Sequence, residues 1–436
     1  MSQEPAKTAA TAFAGGPVLH PLFDALAREL HARPYGVAAA PARVVHLALT
    51  GGDSAAERTS LTRLCAMQNA PMPPPGASHV QIECDGLRLT WERHAEFATY
   101  TFVLPWRGTA LFEPVSALAL PHAWIAALPG QTIAAVQLAL IAGEPPTPEA
   151  IAELFEGRNI VGGFAAGGLA QLWTDFRSDR ENFVRMIVHG GAMSSPRQAG
   201  RLVQRLLEIE TYTMMALLAL PLAREINPAV TETERNLARI AEATTGVEAL
   251  EEEQALLKRL LSLAAELATL GARTPYRFGA ARAYYALVQK RIEELRERRI
   301  EGRQTVGEFM ERRLSPAMRT CETMERRLEA LSERVARASD MLRTRIDVTL
   351  AAQNRDLLLS MNRRARLQLR LQQTVEFLSI AAITYYGAGL VGHVAHGAAA
   401  LGYAVNEPLV VAASVPVISG LLLVGLWAFH KWLGRD

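Results

Sequence analysis

Glu376 sits where a carboxylate has to be explained. From Leu371 to His430 there is no Lys or Arg, and the only acids are Glu376 and Glu407. An ionisable group in so apolar a run is expected to face a pore, a partner or water. Thr374, Ser379 and Thr384 recur near helical spacing with it, so their hydroxyls could line a pore or bond between packed helices. Glu376 also lies one turn inside the run, a position that suits the headgroup zone equally well. His393 and His396 stand three apart, a spacing able to share a metal ion, but distant Glu407 is the only other acid of the run. No metal site is therefore expected. His31 and Arg33 read as structural, with Arg33 capping carbonyls or pairing with Glu29 or another acid. Gly162-Gly163 and Gly167-Gly168 lack the Lys-Ser/Thr of a phosphate loop, so a loop or close strand packing is expected there. No Ser/His/Asp set or paired carboxylates stand out, so no catalytic residue, bound cofactor or enzyme activity is expected.

The elements that must position Glu376 are two apolar segments, about 374–392 and 409–429, each roughly the 20 residues that a helix needs to cross a bilayer. Arg363, Arg364, Arg366 and Arg370 precede the first, Lys431 and Arg435 follow the second, and the connector His393–Glu407 has no Lys or Arg. The positive-inside rule then puts both termini in the cytoplasm. Trp427, Trp432 and Tyr403 stand near span ends, where amphipathic rings prefer the headgroup level. The alternative is a buried hairpin of a large soluble protein.

The chain has 436 residues and a formal net charge of +2. Near balance implies no global attraction to nucleic acid; the basic bias is local, in the arginines that would meet anionic headgroups. Cys65, Cys84 and Cys321 have no ligand spacing and suit a reducing cytoplasm. The start, MSQEPAKTAATAFAGG, lacks the apolar core of a signal peptide and reads as a disordered tail over 1–16.

Residues 17–193 read as a mixed α/β domain with a mainly antiparallel sheet. Leu22–His31 is expected to be a short helix ended by Arg33-Pro34. Val44–Leu49, Val80–Cys84, Leu87–Trp91, Phe97–Leu104, Thr132–Ala142, Asn159–Phe164, Leu169–Phe176 and Phe183–His189 read as strands, with Asp85-Gly86 as a hairpin turn. Helices are expected at Thr59–Gln68, His122–Leu128 and Pro148–Glu156. Ser194-Ser195-Pro196 is a helix start, and 194–372 reads as a helical bundle and stalk. Its helices are expected at Leu202–Ile226 with a kink or end at Pro221, Thr231–Thr244, Val247–Leu270 and Ala280–Ile300. Glu251-Glu252-Glu253 reads as a solvated face.

From Ala317 no proline or glycine occurs until Gly387. One helix from Ala317 to about Val391 would be roughly 110 Å long at 1.5 Å per residue, leaving a stalk of about 80 Å beyond a ~30 Å span. Leu328, Leu331, Val335, Ala338 and Leu342 keep helical spacing, Ile346 and Leu350 continue it, and Leu357, Met361 and Leu369 follow. Such a stripe has to meet other helices of this chain or of a second copy. The expected fold class is thus α+β: the mainly antiparallel α/β domain, a long-helix bundle and stalk, then a two-helix transmembrane hairpin over 373–430 and a tail over 431–436.

Three segments, HPLFDALARELHARPYGVAAAPARVVHLAL (His20–Leu49), RLVQRLLEIETYTMMALLALPLA (Arg201–Ala223) and QNRDLLLSMNRRARLQLRLQQTVEFLSIAAITYY (Gln353–Tyr386), resemble an uncharacterised proteobacterial family of membrane-anchored proteins (domain of unknown function 3422). The resemblance covers nearly the whole chain and implies no activity. The layout of α/β domain, helices and a long helix entering the first of two spans resembles the CorA-type magnesium channels. Asn362 and the apolar run after Thr374 match their entry to the first span. Tyr386-Gly387 falls where they carry Tyr-Gly-Met-Asn, but Ala388 and Gly389 replace the Met and Asn whose oxygens face the cation. That resemblance implies pore-lining Thr374, Glu376, Ser379, Thr384, Tyr386 and Gly387, a loop acid at Glu407, and Mg²⁺ or another divalent cation as the transported ion. The expected partners are the lipid bilayer of a bacterial inner membrane, crossed more than once, and copies of the same chain. A membrane-tethered scaffold without transport is the alternative.

Overall fold

The computed structural model describes residues 20–23, 26–27 and 36–433, apart from 75, 85, 107–109, 158, 192, 194, 248, 402–403 and 405. The expected tail over 1–16, His31, Arg33, Glu29, Asp85, Ser194, Tyr403 and Arg435 lie outside the described residues, as do the side chains of Lys431 and Trp432. Of the expected Leu22–His31 helix, Phe23, Leu26 and Ala27 are described and are helical. The chain forms two compact units, Met1–Glu242 with Leu260–Ala336, and Ala243–Arg259 with Arg337–Asp436. The fold class is α+β: a mixed sheet domain followed by long helices, the last of them apolar.

Among the described residues, the first unit holds one sheet of nine strands: β1 (Ala42–Thr50), β2 (His79–Cys84), β3 (Leu87–Arg93), β4 (Phe97–Pro105), β5 (Gln131–Ile141), β6 (Val161–Ala165), β7 (Ala170–Ser178), β8 (Val184–His189) and β9 (Arg298–Arg299). Their spatial order is β2-β3-β4-β1-β5-β8-β7-β6-β9. Among these pairings only β5 with β8 is parallel. β1 is central, and Val44, Val45 and Ala48 are fully buried on its two faces. That explains its continuous apolar run, since a strand covered on both sides has no polar face to alternate with. At the edge the alternation returns, and β2 and β3 close as a hairpin in which Cys84 pairs with Leu87.

One sheet face carries Val45, Leu47, Tyr100, Phe102, Leu89 and Trp91, and it packs against Leu61, Leu64 and Cys65 of α1 (Ser54–Met67) and Trp124 of α2 (His122–Ala126). After β5, α3 (Pro148–Leu154) is capped by Thr147, whose hydroxyl accepts from Ala150 N at 3.2 Å. The opposite face receives α4 (Pro196–Leu217), where His46 of β1 meets Thr211. Ser195 caps α4 by accepting from Gln198 N at 3.2 Å, with Pro196 at the first helical position, as its sequence predicts.

Several helix boundaries differ from expectation. The break near Pro221 falls at Leu218, and α5 (Ala219–Thr244) runs on through Pro228 rather than restarting at Thr231. Pro221 is the third residue of α5, inside the first turn, where a missing N–H removes no helical bond. α6 covers Leu250–Arg273 and α7 Pro275–Leu295. The expected helix to Ile300 stops because Arg296 turns left-handed (φ 47°) and Arg298–Arg299 pair with Phe164 and Gly163 of β6. Gly163 makes room, since a Cβ there would lie 3.1 Å from the Arg298 carbonyl oxygen. Close strand packing is thus the account of the Gly162-Gly163 pair.

The long helix, α8, begins at Val306 and reaches Ala400, passing through Pro316 instead of starting after it. Its start is fixed by side chains. Thr305 and Glu308 form a reciprocal capping box, with Glu308 N donating to Thr305 Oγ1 at 3.2 Å and Thr305 N to Glu308 Oε2 at 3.1 Å. Glu297 accepts from Val306 N and Gly307 N, each at 3.0 Å. Met310, Leu314, Met318, Cys321, Met324, Leu328, Leu331 and Val335 are buried at helical spacing in the first unit, and Leu342 and Ile346 in the second. Every residue from Leu350 to Val375 is then exposed. Glu253 is not solvated as expected. It is 2% exposed and pairs with Arg345, which also donates to the carbonyls of Thr244 (3.1 Å) and Val247. The last helix, α9, covers Glu407–Leu433.

Candidate functional site

Among the described residues, three helical stretches are long and apolar enough to cross a membrane: Pro196–Thr244, Val306–Ala400 and Glu407–Ala428. In the first, 61% of the most apolar window is buried within the chain, against 11% and 0% in the others. α4 and α5 are therefore core helices. The C-terminal parts of α8 and α9 carry their apolar surface on the outside, where Phe377, Leu378, Leu421 and Val424 are exposed.

α8 continues to Ala400, past the expected end of the first span near Val391, so the connector shrinks to residues 401–406. Glycine at 387, 389, 392 and 397 does not end it, and Leu401 N still bonds back to Gly397 O at 3.2 Å. The two helices run antiparallel along a seam of small residues. Thr384, Ala388 and Ala395 are buried on it. A Cβ on Gly387 would lie 3.1 Å from Ile418 Cδ1, and one on Gly392 would lie 3.3 Å from Val411 Cγ2. Small side chains let the backbones approach, which is how apolar helices associate without a hydrophobic driving force. The seam carries one hydroxyl pair, Thr384 Oγ1 to Ser419 Oγ at 3.3 Å. Ser419 gives its own proton to Val415 O at 2.7 Å, so Thr384 is the donor.

The six pore-lining candidates do not share one face. Thr384 and Gly387 lie in the seam. Thr374 and Ser379 are exposed, and each hydroxyl is spent on its own helix, donating to Arg370 O at 2.9 Å and Val375 O at 2.8 Å. Tyr386 is exposed, with its ring 5.6 Å from that of Tyr385. Glu376 is half-buried and accepts from Gln372 Nε2 at 3.2 Å. Glu376 and Ser379 line one groove of about 500 Å³ with Ile380, Ile383, Leu422 and Leu426.

At the far end of the hairpin, Glu407 Oε2 lies 3.1 Å from His396 Nδ1, joining the end of α8 to the start of α9. The carboxylate at the first residue of α9 also complements that helix's positive end. Sequence separation hid this pair, which forms only because both helices extend toward the connector. Ser419 and Ile418 were missed for the same reason: their partners follow from the antiparallel register, which no local pattern encodes. Among the described residues no group of three or more His, Cys, Asp or Glu is placed to hold a metal ion.

Residues 19–433 match the family model described as "Protein of unknown function (DUF3422)". The chain matches no curated protein and no solved structure.

Proposed function

The chain belongs to this family of unknown function, and from that premise we propose that it is a membrane-anchored scaffold of CorA-like layout, held by the α8–α9 hairpin. The observation that carries this reading is the hairpin's surface. Its small residues and its Thr384–Ser419 bond are turned inward, while Phe377, Leu378, Leu421 and Val424 face out. Apolar side chains on the outside and polar groups satisfied within are what lipid surroundings require.

The arginines at 363, 364, 366 and 370 are all exposed just before the apolar run, which supports a cytoplasmic stalk and both termini on the inner face of a bacterial inner membrane. Leu357, Met361 and Leu369 are exposed on the same stretch of α8. A helix surface with this much bare apolar area is covered by copies of the same chain, giving a homo-oligomer.

A second reading, conduction of Mg²⁺ or another divalent cation, is favoured by the groove that Glu376 shares with Ser379. The division of the other candidates between seam and surface is why scaffolding ranks first. Reconstitution of the full chain into liposomes loaded with a Mg²⁺-sensitive dye separates the two. The scaffold reading expects no flux, together with disulfide-linked oligomers from a Leu357→Cys variant. Flux that a Glu376→Gln variant abolishes would replace it with conduction, and a strictly monomeric, unlinked Leu357→Cys chain would remove the oligomer.

A further inference from the structure

The sheet face beneath α4 is not fully covered. Between α4 and strands β1, β3 and β4 lies a small cleft, a chamber of about 80 Å³. One end is closed where α4 touches the chain leading into β1. A Cβ on Gly200 would fall 1.8 Å from Gly36 O, so only glycine admits this crossing, and Ala38 N donates to Pro196 O at 3.1 Å. The chamber walls are mostly apolar, from Val44, Val103, Val203 and Leu207.

The polar groups of the cleft are nearly all engaged. His46 is held between Thr101 Oγ1 (2.8 Å) and Thr211 Oγ1 (3.0 Å), and burial, with His94 nearby, lowers its pKa to about 3, so it is neutral. Arg88 pairs with Glu83 at 2.7 Å and donates to Val37 O at 2.8 Å. Glu208 pairs with Arg291 and accepts from Gln204 at 2.9 Å, and Glu92 is engaged as well. Thr99 on β4 stands apart from these. It is 4% exposed and lines the cleft, and its Oγ1 has no hydrogen-bond partner among the described residues. A buried hydroxyl left unpaired is costly, so a group that satisfies it is expected at that point.

We propose that this cleft is a binding site for a small uncharged organic molecule, whose hydroxyl or amide group meets Thr99 and whose apolar body lies against Val44, Val103, Val203 and Leu207. Engaged charges on the walls leave no counter-ion for a charged ligand, and desolvating an unpaired charge there would be costly. A chamber of about 80 Å³ has room for a molecule of only a few heavy atoms, and its mostly apolar lining with few fixed polar groups is of the kind that small-molecule sites show. The site is independent of the membrane reading. It does bear on α8, because Thr213 of the same helix α4 contacts Met310 of α8 (Oγ1 to Sδ 3.8 Å).

Saturation-transfer NMR on the full chain in detergent tests this with four probes: butyramide, 1,2-butanediol, butylammonium and butyrate. The two neutral probes should receive saturation and compete with each other, and the two ions should not. Thr99→Val, which keeps the shape and loses the hydroxyl, should weaken neutral-probe binding by about five-fold, the worth of one hydrogen bond. Gln204→Trp at the mouth should block the probes without altering Thr99, and it keeps the test decisive if Thr99→Val folds poorly. No transfer to either neutral probe, equal transfer to the ions, or transfer unchanged in both variants would overturn the proposal, leaving a cleft that holds water.

Discussion

Pro196–Thr244 and Val306–Ala400 each contain a window of mean hydropathy 1.4, yet 61% of that window is buried within the chain in the first and 11% in the second. What separates them is whether the same chain supplies a covering face. α4 lies on the sheet and against α7, and its charges find partners there: Arg205 reaches Glu294 at 3.1 Å, and Glu208 pairs with Arg291. Among the described residues, the contacts of the apolar end of α8 named above are with α9, along one seam. Hydropathy alone therefore does not tell a core helix from a candidate span; what tells them apart is whether partners in the same chain cover the apolar surface.

The sharpest test of that contrast is a pair of leucines. Leu206 on α4 is 2% exposed and Leu378 on α8 is 72% exposed. Leu206→Ala should lower unfolding free energy by about 3–4 kcal/mol through lost burial and a residual cavity, while Leu378→Ala should change it by less than about 0.5 kcal/mol. Urea titration in micelles reads both, and equal losses would end the distinction.

Next in size is Glu210, the buried carboxyl of α4, whose pKa burial raises to about 7. The folded protein holds this proton where the unfolded chain releases it. Stability should therefore fall as pH rises from about 4.5 to 7 and stay lower above, by about 3 kcal/mol. Glu210→Gln should remove that slope, stabilising the protein at pH 8 and leaving it unchanged at pH 4. Denaturation midpoints across this range check it, and a parallel pH profile for both proteins would contradict the assignment.

The smallest effect is expected in the hairpin. Thr384→Val removes the hydrogen bond to Ser419 and should cost only about 0.6 kcal/mol, a typical value for hydroxyls between apolar helices. A loss of several kcal/mol by steric trapping in bicelles would mean that the seam behaves as a water-excluded core like α4.

Much of the fold was legible because local rules and tertiary structure agree. The central strands read as apolar runs, the β2–β3 edge as alternation, and the start of α4 as Ser195-Pro196. Legibility failed where a distant partner decides. Arg298–Arg299 carries no strand pattern, and β6 with its glycine at 163 recruits it. Pro316 looks like a helix boundary, yet Thr305, Glu308 and Glu297 set the true start of α8 ten residues earlier than Pro316. Glu253 reads as solvated until Arg345, far along the chain, covers it. In the candidate site, the apolar helices and Glu376 were visible as types and spacing. The seam residues were not, because their pairing depends on how α9 slides along α8. The cleft at Thr99 was hidden for a related reason: it forms between a strand and a helix about a hundred residues apart.

Between Leu350 and Val375, α8 contains no proline or glycine, and every residue of this stretch is exposed. Without a hinge, this stretch behaves as a shaft whose angular register is counted in residues. One residue inserted there turns everything beyond it by about 100° and advances it by about 1.5 Å. Seven inserted residues return the phase to within about 20°. Any task that needs both ends of the shaft to face a set direction will therefore tolerate changes of length in steps of seven and fail at the steps between.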